Sequence, residues 1–121
     1  MWLPLIGLLV GILLGLSTDW RVPAEYSHYL SIAVLAALDT IFGGMRANLE
    51  KNFNILVFSS GFFINSLMAA GLAFLGNRLG VDLYLAAIFV FGARLFNNLA
   101  SIRRILLDRW MLERGRAKNI P

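Results

Sequence analysis

Four apolar runs dominate this chain, and the stretches between them are too short to surround them with polar surface. The first is Trp2 to Ser17, "WLPLIGLLVGILLGLS"; the others lie at about 26–45, 53–75 and 81–107. Their connections are "TDWRVPAE", "RANLEK" and "GNRLG". Hydrophobic residues make up 59% of the 121 and charged residues 15%, against roughly 45–50% and about 25% in soluble domains. A hydrocarbon core of about 30 Å takes about 20 helical residues at 1.5 Å each. Three runs meet that length, and the first is near the lower limit. It lacks a basic segment before it and a small-residue cleavage site after it, so it reads as a retained span rather than a signal peptide. The fold class expected is an all-α membrane protein: a compact bundle of four transmembrane helices over residues 1–107. The last helix should extend into the cytoplasm as a basic tail over 103–121.

Lysine and arginine set the orientation, because cytoplasmic flanks carry their excess. With four spans both termini share a side. That side holds Arg103, Arg104, Arg109, Arg114, Arg116 and Lys118 in the tail and Arg46 and Lys51 in the middle connection. The other side holds only Arg21 and Arg78, so both termini are expected in the cytoplasm. The tail's six basic residues against Asp108 and Glu113 account for the whole net charge of +4. A basic character confined to one cytoplasmic segment argues against nucleic acid as a partner.

Two charges interrupt the apolar runs. Asp39 follows Tyr29 by ten residues in the second span, and Arg94 follows Tyr84 by ten in the fourth. Both spans run inward and tyrosine favours the interface, so each charge lies about 15 Å deep. Unpaired, each costs roughly 2.5–3.5 kcal/mol to insert. An acid and a base at one depth are therefore expected to form an intramembrane ion pair. Around Asp39 the small residues Ala36, Thr40, Gly43 and Ala47 recur at helical spacing, with Gly44 beside them, giving a face where another helix approaches closely. Asn98 and Ser101 follow Arg94 at helical spacing with Asn97 beside them, which reads as a polar stripe pointing inward. Asn65 and Ser66 are available in the third span. Intramembrane charges are also where proton relays and substrate sites are built. The reading preferred here is a pair that fixes helix register, since no third ionisable group stands on the route.

Gly7, Gly11 and Gly15 form G-x3-G-x3-G, a face for close helix packing. An intramolecular contact is expected, with a homo-oligomer as the alternative. Beyond the fourth span, "RRILLDRWMLERGRAK" continues without a breaker to Gly115, the expected helix end. Trp110 and its apolar neighbours lie beside Arg103, Arg104, Arg109 and Arg114, which suits anionic lipid headgroups or a docked partner; a bare topology signal is the other reading. With no cysteine and one histidine, His28, no metal site or cofactor is expected. No catalytic motif is present, so the chain is expected not to be an enzyme.

The segments "MWLPLIGLLVGILLGL", "VPAEYSHYLSIAVLAALDTIFGGMRANLE", "SGFFIN" and "GVDLYLAAIFVFGARLFNNLASIRR" together resemble the small basic protein family (Sbp) of Gram-positive bacteria. The matching positions include Asp39, Gly43, Gly44, Arg46, Arg94 and the Arg103–Arg104 pair. The resemblance covers residues 1 to about 107 and leaves the far tail, after Trp110, outside. It implies a multi-pass protein of the bacterial plasma membrane with no agreed activity. It also implies a structural or interaction role near the cell-division or envelope machinery, with a membrane protein of that machinery as partner. The competing expectation is a small oligomeric transporter or channel subunit using Asp39 and Arg94.

Overall fold

A computed structural model describes residues 2–120, and it is helical throughout. Helix α1 spans Trp2–Leu16. A 3-10 turn, Ala24–Tyr26, follows Pro23 and leads into α2, Ser27–Leu49. Helix α3 spans Ile55–Leu79 and α4 spans Tyr84–Lys118. The last three are long and apolar enough to cross a membrane. Helix α1, at 15 residues, rises only about 22 Å.

Local chemistry explains the boundaries. Helix α3 starts after Asn54, whose side-chain oxygen accepts from the backbone N–H groups of Leu56 and Val57 at 2.9 and 3.2 Å. This caps two of the four donors a helix start leaves free. Helix α2 ends in a Schellman turn: Asn52 N–H donates to Ala47 O at 2.8 Å and Lys51 N–H to Asn48 O at 3.1 Å. Lys51 takes the left-handed position at φ 59°, a place glycine usually fills. Helix α3 closes the same way, with Gly80 at φ 69° and Val81 N–H donating to Gly76 O at 3.0 Å. Gly115, expected to end α4, lies inside it; the helix runs on to Lys118 and is capped at Asn119.

Compact packing is confined to α2, α3 and α4, with α2 at the centre. Their core is Ile32, Ala36, Ala69, Ala73, Ala87 and Phe91, mostly alanines, which let helix axes come close. Of the expected four-helix bundle, the four helices and the packing of three of them are found. Among the described side chains of α1, only Leu5 and Leu8 are half-buried, and Leu8 meets α2 and α3 across a cleft that includes Ala37 and Phe62. Gly7, Gly11 and Gly15 have no other part of the described residues within 4 Å of where a side chain would begin. The expected intramolecular glycine contact is therefore absent from the described structure. The sequence of α1 supplies the reason: it is apolar on every face, so no one side is marked out for packing against α2 or α3.

Candidate functional site

Helices α2 and α4 lie side by side, and an aromatic stack marks one end of their contact. The His28 and Tyr84 rings have centroids 4.0 Å apart and planes within 14°. One helix turn after another is then in step, because both rise about 1.5 Å per residue. Eleven residues past His28 and ten past Tyr84, Arg94 Nη2 lies 3.2 Å from Asp39 Oδ2. The matched depth read from the two tyrosines thus places the pair together, although it is His28, not Tyr29, that stacks on Tyr84.

The two partners differ in surroundings. Asp39 is 1% exposed, whereas the Arg94 side chain is 50% exposed. Neither Asp39 oxygen accepts a hydrogen bond of good geometry among the described residues, so the contact is chiefly Coulombic. Removal from water costs both ions, and the enclosed carboxylate depends on one guanidinium for its compensation. Arg94 also lines two clefts. One, of about 210 Å³, reaches from Asn52 and Asn54 at the α2–α3 turn past Thr40 and Gly43 to Asn65 and Arg94. The other, of about 190 Å³, lies between α3 and α4 and is also lined by Asn65 and Arg94. Arg94 and Asn65 thus stand where the two clefts meet.

The remaining polar and small residues divide clearly. Asn98 is buried, and its Nδ2 lies 3.3 Å from where a Cβ on Gly43 would be. Gly44 is buried beside it. Asn97, expected on the inward stripe, is exposed on the opposite side of α4. The correction follows from helix geometry, since neighbouring residues point about 100° apart and only one of two adjacent asparagines can face inward. In the tail, Arg103 and Arg104 are exposed, and the Arg114 guanidinium sits 4.3 Å from the centroid of the Trp110 ring. Arg109, grouped with the lipid-facing residues from sequence, donates from Nη2 to the Leu49 carbonyl oxygen at 2.7 Å. It closes one of the free carbonyls at the negative end of α2. Nothing local foretells that bond, because its partners are 60 residues apart. No three His, Cys, Asp or Glu side chains gather among the described residues in a way that would hold a metal ion.

These features define a class: an all-helical chain with three helices able to cross a membrane and an acid–base pair joining two of them. The chain belongs to the family described as "Protein of unknown function (DUF1290)", which it matches over residues 22–107. It is 58% identical to the Small basic protein of Bacillus subtilis (strain 168) over 120 residues, 99% of each chain. That alignment carries the similarity through the tail, which the resemblance read from sequence had left outside. An uncharacterised protein of Mycobacterium tuberculosis (strain ATCC 25618 / H37Rv) is 48% identical over 101 residues, 82% of this chain and 84% of that one. No solved structure matches the chain.

Proposed function

We propose that this is a four-span plasma-membrane protein with both termini in the cytoplasm, which holds a partner or lipid at the membrane and catalyses nothing. The observation that carries this reading is the length and surface of α4. Its 35 residues rise about 52 Å, well beyond a hydrocarbon core of about 30 Å. The projecting turns keep Leu106, Leu107, Trp110 and Met111 about half exposed, with Arg103, Arg104 and Arg114 among them. An apolar strip bordered by arginine suits anionic headgroups, at about 1 kcal/mol per basic residue near the surface, or the acidic face of a partner helix. The partner class proposed is a membrane protein of the division or envelope machinery, as the family resemblance implies.

The test compares the full chain with one ending at Arg109, which retains the bond to Leu49. Crosslinking in native membranes should attach a defined envelope or division protein to the full chain and lose it with the shortened one, with no ion flux in proteoliposomes of either. The transporter reading has a specific observation in its favour, the cleft that brings Asn65 and the half-exposed Arg94 together. It predicts flux of protons, fluoride or organic cations that disappears in Asp39→Asn; such flux overturns the proposal.

Topology has its own expected result. Trp2 and Trp20, both exposed, bracket α1 as interfacial anchors, and a short span is accommodated by local thinning of the bilayer. Reporters fused at Met1 and at Pro121 should both read cytoplasmic. Termini on opposite sides would leave three spans, with α1 lying in the interface.

A further inference from the structure

Helix α4 has one face packed and one face bare. Ala87, Phe91, Asn98 and Ile102 are buried against the other helices. On the opposite side Ala86, Val90, Ala93, Asn97 and Ala100 are all exposed. Their spacing alternates four and three residues, and the same alternation continues through Arg104 to Leu107 and Met111. A repeat of 3.5 is the spacing a coiled-coil seam uses, and this row supplies it over 26 residues within a wider exposed surface that includes Leu85, Phe89, Phe96 and Leu99. The side-chain sizes point the same way. Phe89 and Phe96, at 75% and 72% exposure, lie seven residues apart and line one edge of the seam with the large apolar groups that lipid favours. Within the membrane the seam itself is Ala86, Val90, Ala93, Asn97 and Ala100, a shallow trough beside that aromatic edge.

Asn97 identifies what fills that trough. An amide facing hydrocarbon carries donors and an acceptor that lipid tails leave unpaired. It is also self-complementary, so two copies of the same residue facing one another across a two-fold axis satisfy each other. Copies inserted in the same direction pair in parallel. In that arrangement Asn97 shares its heptad place with Val90, Arg104 and Met111, and one asparagine in such a row sets register. Outside the membrane the same register brings Arg103 of one copy opposite Asp108 of the other, five residues on. Both are exposed, and the ion pairs among the described residues are Arg46–Glu50 and Arg94–Asp39, so neither is occupied within the chain. Arg104 lies in the seam at headgroup level, where its long stem lets the charge turn outward to lipid phosphate.

We propose that two copies of this chain pair in parallel along the bare face of α4, with Asn97 bonded to Asn97 and Arg103 to Asp108 across the two-fold axis. The proposal rests on reading α4 as a membrane span. The chain has no cysteine, so single cysteines in the full chain report proximity directly. In native membranes under mild oxidation, Ala100→Cys and Leu107→Cys should form disulfide dimers. The depth-matched neighbours Leu99→Cys and Leu106→Cys, exposed but off the seam, should form at most about a tenth as much. Asn97→Leu in the Ala100→Cys background should weaken pairing about tenfold, the scale of an interhelical amide bond in membranes. Arg103→Asp should reduce pairing, and adding Asp108→Arg should restore it. Equal yields on and off the seam, or an Asn97→Leu variant that pairs as well as its parent, overturn the dimer. Release of the chain from membranes by alkaline carbonate overturns the span assignment and the dimer with it. A chain that resists extraction yet lacks the seam pattern overturns the dimer alone.

Discussion

Replacing Arg94 with methionine should cost about 3 kcal/mol of stability, the scale for stranding one member of a buried pair. Adding Asp39→Asn to that variant should recover much of the loss. The reasoning follows from the asymmetry of the site. Asp39 is enclosed and its oxygens have no other donor, so removing the guanidinium leaves a charge with neither water nor partner. Asp39→Asn alone should cost less, about 1 kcal/mol, because the half-exposed Arg94 can turn to the clefts beside Asn65. The double variant removes both charges and should be more stable than Arg94→Met, with a coupling on the order of 1–3 kcal/mol. Steric trapping in bicelles, or the fraction monodisperse after heating in detergent, reads the difference. If the double variant loses the sum of the two single losses, the side chains do not depend on one another. Exchanging the charges, Asp39→Arg with Arg94→Asp, should restore stability only in part. The pocket at 39 closes around an aspartate and has no room for an arginine.

The depth of this pair was legible in the sequence because two spans run in the same direction and each begins with a tyrosine ten residues before its charge. Helical rise then leaves little freedom. The small-residue face around Asp39 was legible for a similar reason: Ala36 is buried in the shared core and Gly43 lies against the Asn98 side chain of α4. Helix α1 was not. Its glycines satisfy a packing pattern, but a pattern states that a close neighbour fits, not that one is present, and in lipid there is no hydrophobic pressure to supply one. Asn97 misled for the opposite reason. Adjacent to Asn98, it was read as part of the same inward stripe, when an angle of about 100° per residue sends it to the far face. The Arg109–Leu49 bond and the His28–Tyr84 stack depend on how far α4 slides along α2. That offset is settled by contacts between distant residues, and no local spacing encodes it.

Gly76→Ala should be strongly damaging, at about 3 kcal/mol, toward the upper end for overpacking. Gly76 is buried in the last turns of α3, and a Cβ there would fall onto the Val81 carbonyl oxygen and within 3.0 Å of the Leu83 backbone nitrogen. Those atoms belong to the turn that reverses the chain into α4. The turn cannot yield without breaking the bond from Val81 N–H to the carbonyl of Gly76 itself, so the obstacle is rigid on both sides. Gly43→Ala offers the control. Its Cβ would meet only the end of the Asn98 side chain, at 3.3 Å, and a terminal amide can rotate away, so the expected cost is under about 1 kcal/mol. Gly80→Ala should fall between them, at about 1–2 kcal/mol, because the left-handed φ of 69° disfavours a Cβ although the space around it is open. Thermal stability in detergent should therefore rank Gly43→Ala above Gly80→Ala, and Gly80→Ala above Gly76→Ala. A Gly76→Ala protein as stable as the parent would mean that α3 and α4 meet through a different turn. Helix α4 would then be displaced along its axis, and Arg94 would no longer stand level with Asp39.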